Sequence, residues 1–142
     1  ITPNLPEAEE ILGVEIKTVD EMKEAAIKLM ELGPKAVLVK GGHLEDDATD
    51  LLFDGKNFIL LPQERLNTTH THGTGCTLSS AIAANLAKGM TVEEAVKAGK
   101  KYITCAIEHG FELGKGVGPT NHFYELYKES GRYEEITGEK DK

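Results

Sequence analysis

The residues best suited to chemistry lie in the segment from His72 to Ser80, which reads HGTGCTLSS. Its two glycines, Gly73 and Gly75, let the backbone turn tightly and let a ligand approach the main chain. The residues from Thr77 onward favour a helix, and the first N–H groups of a helix have no intrahelical acceptor. These groups and the helix dipole together favour a bound anion such as phosphate. The segment therefore indicates a phosphate-binding helix start, with simple helix capping as the alternative.

Cys76 stands in the first turn of the expected helix, where the dipole favours a thiolate. Such a thiol can act as a base or nucleophile, or as a polar group beside a reacting oxygen. The alternative is a small buried cysteine that only packs, which is the usual fate of a free cysteine.

Asn4 and Glu7 form a second candidate pair. An Asn-x-x-Glu spacing at the start of an expected helix is a capping-box pattern. The same oxygens could hold waters on Mg²⁺, which prefers oxygen ligands and keeps several waters. On spacing alone, the cap is the favoured interpretation.

Lys40 is a third candidate. It follows a short apolar run, residues 35–39, that is typical of a strand buried on both faces, as in a parallel sheet with helices outside. In open α/β sheets, ligands bind beyond the carboxyl ends of the strands. Lys40 therefore lies where a phosphate-binding cation would be useful, and a solvated strand-end lysine is the alternative.

The elements that must position these residues alternate between helix and strand signals. Helices are expected over residues 6–12, 21–32, 77–87, 92–108 and 121–130, and a hairpin over 48–61 around Asp54-Gly55-Lys56. Thr18 or Asp20 is expected to cap the second helix, and Thr91 with Glu94 to cap the fourth.

Composition narrows the class of protein. A chain of 142 residues can hold one domain with its own core, and a net charge of −8 argues against a nucleic-acid partner. The two cysteines, Cys76 and Cys105, make no disulfide framework and fit a reducing, cytoplasmic setting. No apolar stretch is long enough to span a membrane, so no membrane partner is expected. The chain opens at Ile1 without an initiator methionine, which suggests a fragment or a processed product.

Four stretches taken together resemble the hydroxymethylpyrimidine phosphate kinase (phosphomethylpyrimidine kinase) family of the ribokinase-like superfamily. They are TPNLPEAE at 2–9, VKGGH at 39–43, THTHGTGCT at 69–77 and GPTNHF at 118–123. Any one of them is weak, but their order and separation are specific. The resemblance covers about residues 1–124 and only the C-terminal half of that family's chain.

The resemblance implies ATP-dependent phosphorylation of hydroxymethylpyrimidine and of its monophosphate in thiamine biosynthesis. The backbone of Gly73, Thr74 and Gly75 would form the anion hole for the transferred phosphoryl group, a main catalytic device for this reaction. Cys76 would replace the aspartate that many superfamily members use as base, or would position the substrate.

The resemblance also implies how ATP and Mg²⁺ are held. The residues implied to bind the nucleotide are Lys40, Gly42, Thr74 and Gly75. Asn4 and Glu7 match the superfamily's Asn-x-x-Glu, which is associated with Mg²⁺ and its waters.

The implied fold is an α/β, three-layer sandwich of the ribokinase-like type. This chain would supply an incomplete C-terminal part, with a parallel strand, a hairpin and flanking helices. Residues 1–130 would form the nucleotide-binding part and residues 131–142 a charged tail. Activity would require a complementary N-terminal half, and the complete protein is expected to be a homo-oligomer. A pyridoxine or pyridoxal kinase and a non-catalytic nucleotide-binding fragment are the alternatives.

Overall fold

A computed structural model of the chain describes residues 1–42, 49–62, 73–111 and 118–138. The chain divides into two compact units, Ile1–Arg65 and Leu66–Lys142. Within the described residues, the first unit contains two helices and a three-stranded sheet, and the second contains four helices. The elements confirm an α/β chain.

The two helices of the first unit begin at capping boxes. Helix α1 spans Leu5–Leu12, after the N-cap Asn4, and ends at Gly13, whose φ of 66° places it in the left-handed region that favours glycine. Helix α2 spans Val19–Met30. It starts earlier than expected because Thr18, rather than Asp20, provides the N-cap.

The sheet contains β1 (Val37–Val39), β2 (Thr49–Phe53) and β3 (Phe58–Pro62), in that spatial order. Strands β2 and β3 form the predicted hairpin, in which Leu52 lies opposite Ile59. The Asp54 carboxylate closes the turn by accepting hydrogen bonds from two backbone N–H groups that follow it.

The expectation that the apolar run pairs in a parallel sheet is met only in part. All three residues of β1 are buried, as predicted, but β2 runs antiparallel to it. The opposite edge of β1 meets the N-terminal residues, because the Leu38 N–H donates to the Ile1 carbonyl at 2.9 Å. Asn4 and Lys40 form a parallel bridge there. A continuous apolar run reports burial on both faces, and it carries no information about the direction of the neighbouring strand.

Helix α2 packs on β1 and β2, and α1 packs on α2, so that these elements form one core. Its buried members are Leu5, Ala8, Ile16, Met22, Ala25, Ala26, Leu29, Val37, Val39, Leu51 and Phe53.

The second unit contains α3 (Thr74–Ala87), α4 (Val92–Glu108), α5 (Tyr124–Glu129) and α6 (Tyr133–Thr137). Helix α3 begins before the expected Thr77, because Gly73 has a φ of 79° and turns the chain directly into the helix. Gly75 and Cys76 are therefore helical, and of the two glycines in this segment it is Gly73 that has a positive φ.

Helix α4 agrees with its predicted bounds and packs closely on α3. A Cβ atom at Gly99 would lie 2.9 Å from Ile82 Cγ1, so glycine is needed at this contact. Near the end of α4, the ring of His109 stacks on Tyr124, with 3.4 Å between centroids. Tyr133 of α6 meets the same tyrosine edge-on and is buried. None of the helices in the described ranges is long and apolar enough to cross a membrane.

Candidate functional site

Asn4 and Lys40 are neighbours in the first unit although they are distant in sequence. Their parallel bridge places the start of α1 beside the end of β1. The Lys40 N–H donates to the Pro3 carbonyl at 2.9 Å, which fixes the register of the bridge. Two of the residues predicted to bind nucleotide or metal thus lie side by side.

The capping box predicted for Asn4 and Glu7 is present. Asn4 Oδ1 accepts from the Glu7 N–H at 2.8 Å, and Glu7 Oε2 accepts from the Asn4 N–H at 2.7 Å. The favoured interpretation of their spacing is therefore confirmed. Glu7 is exposed, and the cap uses only one of its two carboxylate oxygens. The Mg²⁺ role of the pair stays a prediction.

Asp50 fixes the backbone that follows Lys40. This residue was not among those predicted from the sequence to belong to the site. Its carboxylate is buried, with 3% of the residue exposed, and accepts the Gly41 N–H at 2.9 Å. A Cβ atom at Gly41 would lie 1.8 Å from the Thr49 carbonyl oxygen, so the close approach requires glycine. An aspartate inside the otherwise apolar run of β2 was the available signal, since buried carboxylates need partners.

Gly42 lies in an open turn after this contact. No described atom lies within 4 Å of the position that a Cβ atom would take there. Within the described residues, the half-buried Lys40 forms no ion pair. The arrangement suits an anion that approaches the main chain beside a lysine ammonium.

The start of α3 differs from the starts of α1, α2 and α4. Those three helices each carry a capping box with a glutamate at the third helical position. At α3, no side chain of the described residues caps the helix, and its first turn contains no acidic residue. The first intrahelical bond runs from the Thr77 N–H to the Gly73 carbonyl at 3.0 Å. The N–H groups before Thr77 therefore lie at the positive end of the helix dipole.

Cys76 is exposed at the third position of α3. The alternative of a buried packing cysteine is therefore wrong, because the first turn projects this residue away from the buried Leu78 and Ile82. The hydroxyl of Ser80 donates to the Cys76 carbonyl at 2.9 Å. This hydrogen bond is made to the helix backbone and not to the Cys76 thiol.

A groove of about 740 Å³ runs along α3 from Cys76 to Lys88. Its remaining lining comes from α3, α4 and the segment before α5: Thr77, Ser80, Ala81, Ala84, Asn85, Ala98, Tyr102, His122 and Phe123. The Tyr102 hydroxyl donates to the His122 carbonyl at 2.8 Å and joins the two walls. The thiol of Cys76 therefore opens onto a largely apolar groove.

Cys105 is half-buried in α4 and has a different environment. Burial raises the pKa of its thiol, and the charges of Glu125 and Glu108 raise that pKa further. Its sulfur lies 4.0 Å from His109 Nδ1, beside the stacked aromatic rings. These contacts fit the packing role expected for Cys105.

The GPTNHF stretch places a buried polar pair next to the groove. Thr120 and Asn121 are 3% and 2% exposed, and the Asn121 N–H donates to the Ala106 carbonyl at 2.8 Å. Among the described residues, Thr120 Oγ1 and Asn121 Nδ2 find no hydrogen-bond partner. The pair anchors the segment that carries His122 and Phe123.

Parts of two predicted motifs lie outside the described residues: His43 and residues 69–72. Across the described ranges, no group of three or more His, Cys, Asp or Glu side chains is arranged to hold a metal ion.

Comparison with known proteins gives a consistent set of kinases. The family model described as phosphomethylpyrimidine kinase matches residues 1–121. A hydroxymethylpyrimidine/phosphomethylpyrimidine kinase from Streptomyces coelicolor is 49% identical over 125 residues, which are 88% of this chain and 46% of that kinase. The chain thus spans about half the length of the curated relatives it matches.

Solved structures agree with the sequence matches. The ADP complex of Bacillus subtilis pyridoxal kinase has a TM-score of 0.81 and 48% identity, and the match covers 89% of this chain and 50% of that one. Phosphomethylpyrimidine kinase from Clostridium difficile has a TM-score of 0.63 and 48% identity, with 73% and 41% covered.

Proposed function

Because the chain belongs to the phosphomethylpyrimidine kinase family, we propose that it is the phosphate-handling part of an ATP-dependent kinase. The kinase phosphorylates hydroxymethylpyrimidine and then its monophosphate, in thiamine biosynthesis. Relatives named for this activity are 45–49% identical to the chain over 125 residues. Since the chain spans about half of their length, the activity belongs to the complete protein.

The observation that carries the proposal is the start of α3. Gly73 turns the chain into a helix whose first turn contains no carboxylate and whose N-cap, in the described part of the chain, makes no side-chain hydrogen bond. Backbone N–H groups aimed at one point stabilise the charge that develops on a transferred phosphoryl group. We assign this role to Gly73, Thr74 and Gly75, the last two of which also bind the nucleotide phosphates.

Cys76 stands at the acceptor side of the reaction. The substrate hydroxyl oxygen forms a bond to the γ-phosphorus of ATP as the bond to ADP breaks, and the hydroxyl proton must leave. The exposed thiol of Cys76 either takes this proton as a thiolate or positions the hydroxyl for attack.

Lys40 and Gly42 contribute to phosphate binding, since an ammonium stands beside an open main-chain turn there. Asn4 and Glu7 would hold waters of Mg²⁺, since they offer oxygen ligands next to Lys40 and the cap leaves one Glu7 oxygen unused. Mg²⁺, when bound, neutralises charge on the phosphate oxygens.

The complete fold in this proposal is the three-layer ribokinase-like sandwich, to which the chain contributes the C-terminal part. A complementary N-terminal half supplies most of the pyrimidine pocket, and the complete protein is a homo-oligomer. The extent of the matches supports this proposal, because the chain corresponds to 46–50% of the relatives' length.

A pyridoxal kinase is the second candidate. It is supported by the Bacillus subtilis structure, which carries that name and is 48% identical to this chain. A non-catalytic nucleotide-binding fragment is the third candidate.

One experiment separates the three candidates. The chain is co-expressed with the part of the Streptomyces coelicolor kinase that lies outside the matched region, and ADP release is measured with hydroxymethylpyrimidine or pyridoxal as acceptor. We expect turnover with hydroxymethylpyrimidine and a lower kcat/KM with pyridoxal. The reverse preference would favour the vitamin B6 activity. ATP binding without turnover on either acceptor would favour the non-catalytic fragment.

A further inference from the structure

Helix α3 is uncharged although much of it is exposed. Its sequence, TGCTLSSAIAANLA, contains no charged residue, yet only Leu78 and Ile82 are buried. Ala84, which lines the groove, is exposed. A surface helix normally presents charged residues to solvent, so the uncharged side of α3 along the groove is suited to contact with another element.

Helix α4 provides the contrast within the same unit. It buries Val96, Gly99 and Ile103 on one side and carries charged residues on the other, including the exposed ion pair of Lys97 with Glu93. This is the pattern of a helix with one solvent face. The uncharged surface of α3 is therefore a property of that helix, since its direct neighbour differs.

The lining of the groove along α3 combines small and large side chains, as a contact between helices does. Ala81 and Ala84 from α3 and Ala98 from α4 are its small members. Tyr102 and Phe123 are its large members, and Phe123 leaves 56% of its surface exposed. Helices approach within 8–10 Å of each other where the contact residues are small, and larger side chains then fill the sides.

We propose that this groove is the docking surface for an apolar α-helix from the complementary part of the kinase. The inference rests on the proposed function, which requires such a part. The relatives that match the chain are about twice its length, so they contain a segment large enough to fill the groove. Because the groove begins at Cys76, the docked helix ends beside the thiol and closes that side of the reaction centre.

The test compares two substitutions on neighbouring residues of α3. Ala84→Arg places a charge in the groove, and Ala83→Arg places the same charge on an exposed residue that does not line it. Each chain is co-expressed with the affinity-tagged remainder of the Streptomyces coelicolor kinase. We expect the unmodified chain and Ala83→Arg to co-purify with it, and recovery of Ala84→Arg to fall roughly tenfold or more. Circular dichroism of the purified chains shows whether helix content is unchanged.

Equal recovery of all three chains would overturn the inference, as would no recovery of the unmodified chain. Self-association that Ala84→Arg abolishes, without capture of the remainder, would assign the groove to a second copy and would also overturn it. Kinase activity is measured separately on the purified pair. An inactive pair with the expected recovery pattern would keep the docking surface and reject the proposed function. An active pair with equal recovery of all three chains would keep the proposed function and reject the docking surface.

Discussion

Cys76 occupies the position in α3 that Glu94 occupies in α4, the third residue after the N-cap. In α4, the Glu94 carboxylate accepts the N–H and the hydroxyl of Thr91 at 2.9 and 2.8 Å and closes the helix start. In α3, Gly73 has no side chain to cap the helix, and a thiol is only a weak acceptor. The same position of a helix therefore serves stability in α4 and can serve an anion in α3.

We expect Cys76→Ser to lower kcat of the complemented kinase by about 10²–10⁴-fold, the usual contribution of general-base help. The backbone at Gly73 and Gly75 is unchanged, so some turnover remains. Cys76→Asp restores a carboxylate and should recover part of the rate. Cys105→Ser is the matched control and should change little. Steady-state kinetics at saturating ATP measures all three, and a Cys76→Ser rate equal to that of the unmodified enzyme would leave the thiol no catalytic role.

Glu7→Gln separates the capping role of this residue from its proposed Mg²⁺ role. Glutamine can replace glutamate in a capping box, so we expect the unfolding free energy to change by less than about 0.5 kcal/mol. Loss of the carboxylate charge should reduce the gain in ATP affinity that Mg²⁺ provides.

Calorimetric titration of the complemented kinase with ATP, with and without Mg²⁺, gives this readout. Glu94→Gln makes the same change at the cap of α4 and serves as control. A Mg²⁺ effect that is identical in Glu7→Gln and the unmodified protein would restrict Glu7 to the cap.

Lys40→Ala should weaken binding of nucleotide phosphates by roughly tenfold or more, since a hydrogen bond to a charged group contributes about 1.5–3 kcal/mol. Thermal stability should change little, because the ammonium makes no ion pair within the described residues. Lys56→Ala removes the same charge at the exposed hairpin turn of the same unit and serves as the control, with unchanged nucleotide affinity expected. Lower stability with unchanged ADP affinity would make Lys40 a structural residue.

The two thiols should differ in their rates of alkylation. The raised pKa of Cys105 leaves less thiolate at neutral pH, and its rate should increase as the pH rises toward that pKa. Cys76 is exposed, so iodoacetamide should label it first. Peptide mass spectrometry over time at neutral and alkaline pH measures the alkylation of both cysteines. In Cys76→Ser, the alkylation rate of Cys105 is measured alone. Equal labelling at neutral pH would contradict the burial of Cys105.

Local features of the fold could be predicted from sequence because their causes are local. Asn4 with Glu7 and Thr91 with Glu94 satisfy helix N–H groups within one turn, so the spacing alone located the starts of α1 and α4. The start of α3 was misplaced because Gly73 can adopt a positive φ or an ordinary one, and its sequence neighbours do not decide between them.

Contacts between distant residues could not be predicted in this way. The bridge of Asn4 with Lys40 and the buried bond from Gly41 to Asp50 depend on which strand edges meet. The exposure of Cys76 depends on which side of α3 packs against α4, and the sequence of α3 has no charged residue to indicate its solvent side.

Gly41 has a mechanical consequence for Lys40. Its main chain lies against the Thr49 carbonyl and is bonded to the Asp50 carboxylate, so the turn after β1 is fixed to the first residues of β2. The backbone that carries Lys40 is therefore positioned by β2 as well as by β1, and the phosphate site proposed there inherits its position from both strands.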